Sequence, residues 1–194
     1  MDRRHLLAGI ASVGTLGVAG AVASGGLPVP IGGSSTAGDG ESSPTDPGEQ
    51  SGPVDPVTLD TIPAPGSRDG AVTIPAADQP TFVDFFGTWC PPCIEQMPAL
   101  GEASDRVGDQ VTFVSVTTEA VGRSVTEIEV ADWWREHDGD WLVAGDPTAE
   151  LAAAVDVGSY PTAVVLDASG RIHWSEAGVH STETLVEQIE AVLP

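Results

Sequence analysis

Cys90 and Cys93 are the only cysteines among 194 residues, and they stand three positions apart in Trp89-Cys90-Pro91-Pro92-Cys93. With no third cysteine to pair with, they cannot be part of a structural disulfide framework, so the pair is redox-active, metal-binding or inert. The redox reading has a physical basis, because the pair sits where a strand gives way to a helix. Backbone dipoles at a helix N-terminus lower a thiol pKa and favour the thiolate, which makes Cys90 the expected nucleophile. A mixed disulfide on Cys90 lies one helical turn from Cys93, which can displace the substrate and close the ring. Pro91 and Pro92 carry no amide hydrogen, so the donors expected to reach the Cys90 sulfur are later amides such as those of Cys93 and Ile94. Fewer donors mean a less stabilised thiolate and a more reducing couple.

The elements that must position this pair are legible on both sides of it. Thr81-Phe82-Val83-Asp84-Phe85-Phe86 is a nearly unbroken apolar run, the pattern of a strand buried on both faces. Asp84 interrupts it, and an unpartnered carboxylate there would have its pKa raised by burial. A helix is expected from Pro92 to about Val107, then a strand Val111 to Thr117. A second helix starts at Ser124, where Ser-Val-Thr-Glu reads as a capping box. A strand Trp141 to Ala144 leads to Asp146-Pro147, an N-cap with proline after it, and to a helix through Val155. Strands Thr162 to Leu166 and Arg171 to Trp174 flank an Asp-Ala-Ser-Gly turn, and Thr182 to Leu193 closes the chain as an amphipathic helix. Val57 to Ile62 and Ala71 to Ile74 suit a hairpin at the domain's entrance.

The N-terminal third reads differently. Arg3-Arg4 precede a Gly- and Ala-rich apolar run, Leu6 to Ala23, which resembles a twin-arginine export signal, and Ala21-Val22-Ala23 offers a cleavage site. The competing reading is a membrane anchor over residues 6–23, although a span needs about 20 apolar residues without repeated glycines. Residues 24–56 form a Gly/Ser/Pro/acid-rich stretch unable to bury enough surface to offset its ordering entropy, and so read as a flexible linker. Residues 57–194 are the domain. Twenty-nine acids face seven bases, all of them arginine, for a net charge of −22. That balance excludes nucleic acid and anionic membrane surfaces as partners and points to a monomeric, carboxylate-covered protein of a halophile.

Val83 to Cys93 resembles the active-site strand and loop of the thioredoxin superfamily. Glu95-Gln96-Met97-Pro98-Ala99-Leu100, Tyr160-Pro161-Thr162 and Leu166-Asp167-Ala168-Ser169-Gly170-Arg171-Ile172 are similar to its TlpA/ResA branch of exported or membrane-tethered reductases. The resemblance covers residues 57–194, and with the acidic surface it implies a halophilic archaeal member. It implies an α/β thioredoxin-like fold with a central mixed sheet of four or five strands, helices on both faces and an N-terminal hairpin. It implies further that Pro161 is a cis-proline facing the cysteines and that Tyr160 presents backbone to an extended substrate peptide. Asp84 would relay the proton of Cys93 through water, and Trp89, with Pro91 and Pro92, would contact substrate. No cofactor is implied. The partners implied are disulfide-containing exported proteins and a membrane electron donor. Gln96 stands where ResA-like members often carry a glutamate, and an amide cannot shuttle a proton, so that role falls to Asp84 alone and a part in cytochrome maturation is weakened. Trp133, Trp134, Trp141 and Trp174 read as packing residues.

Three other readings compete. Copper(I) delivery would use both cysteines with His173, His180 or Met97. A non-catalytic peptide module needs no thiol pair, and a peroxiredoxin does not need two cysteines on one helical turn.

Overall fold

The computed structural model describes residues 52–194; the signal or anchor and most of the linker lie outside the described residues. Seven strands form one sheet in the order β2-β1-β5-β4-β3-β6-β7. They are β1 Val57–Thr61, β2 Gly70–Ile74, β3 Thr81–Phe86, β4 Thr112–Thr117, β5 Leu142–Gly145, β6 Thr162–Leu166 and β7 Ile172–Ala177. The sheet is larger than the four or five strands expected, because the entrance hairpin is not separate from it. Backbone groups of β1 continue the ladder antiparallel to β5, with Asp60 opposite Gly145 and Thr61 opposite Ala144.

The strand that leads to the cysteines lies inside the sheet. β3 pairs in parallel with β4 and antiparallel with β6, and all six of its residues are buried. Its alternation divides the core in two, since successive side chains point to opposite faces. Phe82 and Phe86 face a cluster that holds Cys90, Cys93, Met97, Leu100, Trp134, Trp141, Leu185 and Ile189. Val83 and Phe85 face the other cluster, with Leu59, Ile74, Val116, Leu151 and Val155. Helices α1 (Pro91–Val107), α2 (Glu127–Glu136) and α4 (Thr182–Glu190) contribute to the first face, and α3 (Glu150–Ala154) covers the second. Asp84 shares its face with Phe82 and Phe86, and therefore with the cysteines.

Several boundaries differ from expectation for local reasons. Helix α2 is capped by Thr126, whose hydroxyl accepts from Glu129 N while the Glu129 carboxylate accepts from Thr126 N. The Ser124 to Glu127 box does not form, because Val125 is held extended by a bridge to Val121. Asp146 is not the N-cap and Pro147 is not in the helix as expected, although the Asp146 carboxylate accepts from the amides of Glu150 and Ala152 at 2.9 and 3.0 Å. The helix starts only after a turn in which Ala149 takes a left-handed conformation, φ 55°. At the end of α4 the amides of Val192 and Leu193 donate three residues back, to Ile189 and Glu190, so the last turn leaves the α-helix. Val54, read as linker, is buried and donates to Gly170 O at 2.8 Å, so the packed domain begins a few residues before Val57. No helix among the described residues is long and apolar enough to cross a membrane.

Candidate active site

Strand β3 leads into the cysteine loop with no spare residues. Gly87 accepts from Cys90 N at 3.1 Å, Cys90 takes the N-cap position of α1, and Pro91 and Pro92 fill the first two helical positions. Proline suits these positions because the first-turn amides have no helical acceptor and its φ already fits a helix. Cys90 and Cys93 form a disulfide, with Cα atoms 5.3 Å apart. In this bridged form both residues are buried, Cys90 at 3% and Cys93 at 1% exposure. The solvent side is formed by their neighbours: Trp89 is 66% exposed, and Pro91, Pro92 and Ile94 are exposed as well.

One expectation needs correction. The amides of Cys93 and Ile94 donate to the Cys90 carbonyl, at 3.0 and 3.4 Å, because Cys90 is the helix cap. They close the first turn of α1 instead of standing free for the sulfur.

The Tyr160–Pro161 peptide is cis. Pro161 leads directly into β6, which pairs with β3, and its carbonyl accepts from Gly178 N at 2.8 Å. The Tyr160 ring meets Trp89 edge-on with centroids 6.0 Å apart, and its hydroxyl is hydrogen-bonded to Thr118 Oγ1. The two substrate-contacting segments implied by the sequence, Trp89 to Pro92 and Tyr160-Pro161, are thus neighbours.

Asp84 is 2% exposed at the middle of β3, between Ser115 of β4 and Ala163 of β6. Its Oδ2 accepts from Ser115 Oγ at 3.2 Å, and its Oδ1 is buried with no partner among the described residues. Burial removes the water that would stabilise the charge, and the single hydroxyl donor offsets this only in part. The carboxyl pKa is raised from 3.8 to about 7. Asp84 therefore changes protonation near neutrality, the property required of a group that trades protons with a thiol.

Two residues support the site that the sequence reading does not name in that role. The half-buried Glu119 holds the loop before Cys90: its carboxylate accepts from Thr88 N at 2.7 Å, Thr88 Oγ1 at 2.9 Å and Thr117 Oγ1 at 3.1 Å. Gln96, considered above only as a failed proton shuttle, is buried and locks α1 to the β7–α4 connection. Its Nε2 donates to His180 O at 3.1 Å, and its Oε1 accepts from His180 N at 2.6 Å. An ionised glutamate could not make the first of these bonds. The sulfur–imidazole metal set considered from sequence is not assembled: the His180 ring packs against Trp174, 4.9 Å between centroids, and its Nε2 lies 3.2 Å from Glu176 O. Among the described residues no group of three or more His, Cys, Asp or Glu side chains converges as a metal site.

Comparison with known proteins agrees with this architecture. The Redoxin family model matches residues 62–193. The thiol-disulfide oxidoreductase ResA of Bacillus cereus is 27% identical over 113 residues, which is 58% of this chain and 63% of the relative, so the match spans less than two thirds of that protein. StoA from Bacillus subtilis superposes with a TM-score of 0.59 at 24% identity, covering 70% of this chain and 96% of StoA. The exposed lipoprotein thioredoxin Etrx1 of Streptococcus pneumoniae gives a TM-score of 0.60 at 18% identity, covering 71% of this chain and 99% of that one. At these identities the solved structures speak for the fold. With a family match across nearly the whole packed domain and a bridged cysteine pair at the head of α1, the chain belongs to the Redoxin family, as a TlpA/ResA-like member of the thioredoxin superfamily.

Proposed function

We propose that the protein is a thiol–disulfide oxidoreductase that reduces disulfides in exported proteins, with Cys90 as nucleophile and Cys93 as resolving thiol. The observation that carries this reading is the Cys90–Cys93 disulfide at the strand-to-helix junction, on the same sheet face as a buried carboxyl that titrates near pH 7. In the reduced protein the Cys90 thiolate attacks one sulfur of a substrate disulfide, which forms a mixed disulfide and expels the other substrate sulfur as thiolate. Asp84 takes the proton of Cys93 through water, and the Cys93 thiolate attacks Cys90 Sγ. The substrate leaves as a dithiol, and the two electrons it gained are those lost in forming the Cys90–Cys93 bond. A membrane electron donor then restores the dithiol.

Substrate would lie as an extended segment against Tyr160 and Pro161, flanked by Trp89, Pro91 and Pro92. The prolines support this direction of transfer: without amide hydrogens at the first two helical positions the Cys90 thiolate has fewer donors to stabilise it, which favours a dithiol that gives up electrons. The Arg3-Arg4 segment, read as an export signal, supports a reaction outside the cytoplasm, and the acidic surface suits high salt.

Dithiothreitol-driven reduction of insulin tests the activity, and a Cys93→Ala variant expressed in cells should accumulate mixed disulfides on Cys90. Loss of insulin reduction in both Cys90→Ala and Cys93→Ala is expected. Full activity in either variant would refute the two-thiol cycle.

A further inference from the structure

We propose that Trp141 and Ser115 are positioning residues for Asp84, a buried indole–hydroxyl–carboxylate relay that makes Oδ1 the oxygen that binds and releases the proton and sets the pH at which the site works. The proposal rests on Asp84 serving the Cys93 thiol.

The direction of the relay is fixed by the chemistry of its first member. Trp141 is buried, and its Nε1 lies 3.0 Å from Ser115 Oγ. An indole N–H can only donate, so Ser115 Oγ accepts there and its single hydrogen is left for Asp84 Oδ2, 3.2 Å away. With that hydrogen aimed at Oδ2, Oδ2 accepts, and the neutral acid in this arrangement carries its own hydrogen on Oδ1, the buried atom without a partner among the described residues. Ser115 has no exposure to solvent, so no bulk water competes for its hydroxyl.

The surroundings leave these two bonds as the main adjustable influence. On the face that Asp84 shares with the cysteines, β4 presents Phe113, Ser115 and Thr117, and β6 presents Ala163 and Val165. Trp134 and Trp141 complete the wall, and α1 contributes Cys90, Cys93 and Met97. The two cysteines are the only titratable groups in that set, and none of its members carries a fixed charge. The Ser115 hydroxyl opposes the effect of burial on Asp84. Trp141 thus acts beyond the packing role its composition suggests. Its ring seats edge-on against Phe113 and Trp134, with centroids 5.8 and 4.8 Å away, which fixes the direction in which its N–H points.

The test titrates Asp84 in the oxidised full-length protein, where the cysteines do not ionise, by the infrared carboxyl band that Asp84→Asn removes. Ser115→Ala should raise the midpoint by about one pH unit, since it removes a hydrogen bond to the charged form. Trp141→Phe should raise it by less, and should add nothing in a Ser115→Ala background, because the indole acts through the hydroxyl. Ser115→Thr, which keeps the hydroxyl, should return the midpoint to the wild-type value. A midpoint unmoved by Ser115→Ala, or a Trp141→Phe effect that persists without Ser115, overturns the relay. If Ser115→Ala does not fold, Trp141→Phe carries the test, and an unmoved midpoint overturns it. The pH profile of insulin reduction should move with the midpoint. Turnover whose profile ignores Ser115→Ala sinks the relay alone, whereas shifts of the carboxyl band in a protein that never turns over sink the exchange reading and leave the relay standing.

Discussion

Replacing Asp84 by asparagine should make the protein more stable at alkaline pH than it is with its native residue, and the size of the gain follows from where the carboxyl sits. In the folded state Asp84 is 2% exposed and holds its proton up to about pH 7, against 3.8 for an unperturbed aspartate. Between those values the native state binds a proton that the unfolded chain has released. Unfolding free energy therefore falls as pH rises through this window and levels off above pH 7. At about 1.4 kcal/mol per pH unit, the interval amounts to about 4 kcal/mol. Asparagine has nearly the same shape and no proton to lose, so the Asp84→Asn protein should lack this slope. Its amide nitrogen would sit where Oδ1 has no partner, a penalty of about 1 to 3 kcal/mol that does not vary with pH. The difference in stability between variant and wild type should thus grow by about 4 kcal/mol from pH 4 to pH 8. Urea unfolding of the oxidised proteins in one high-salt buffer, followed by tryptophan fluorescence, measures it. The disulfide keeps thiol titration out of the comparison, and contributions from the other carboxylates cancel in the difference. A difference that stays constant from pH 4 to pH 8 would mean that Asp84 ionises normally in the fold, and the argument from its burial would fail.

Three further outcomes are expected. Glu119→Ala should lower stability by about 2 kcal/mol, as Thr88 N and two hydroxyls lose their acceptor, and should speed alkylation of reduced Cys90 by freeing the preceding loop; unchanged stability and alkylation would mean that the clamp does not hold the loop. Gln96→Glu should destabilise the protein at neutral pH but less at pH 4, because a charged carboxylate cannot donate to His180 O whereas a protonated one can, and denaturant midpoints at the two pH values would show it. Dialysis into dilute buffer should reduce helical circular dichroism and insulin reduction together, since the 29 acids and 7 bases then repel without screening, and a protein folded and active at low salt would contradict the halophilic reading.

What the sequence made legible was whatever a short run of residues decides by itself. β3 could be read because six consecutive buried residues need no partner to announce them, and the head of α1 because two prolines and a cap fit only there. Local pattern failed where two adjacent frames satisfied one rule. Ser124 to Glu127 and Thr126 to Glu129 both spell a capping box, and the Val121–Val125 bridge decides between them. The strand count missed because the edge of β5 was as available to the hairpin as solvent was, and pairing it required knowing which strand stood at the edge. The supporting residues of the site were hidden for another reason. Glu119 lies 31 positions from Thr88, Ser115 lies 31 from Asp84 and 26 from Trp141, and Gln96 lies 84 from His180. Each is an ordinary polar residue until the sheet or the helix pair brings its partner alongside.

The most direct measurement of the central claim is the order in which the two thiols react. Reduced protein treated briefly with a limiting amount of iodoacetamide, then digested and weighed by mass spectrometry, should carry the label on Cys90 while Cys93 remains free, and untreated protein should cycle between dithiol and bridge in glutathione buffers. Label appearing first on Cys93, or on neither sulfur, would contradict the assignment of Cys90 as the attacking group.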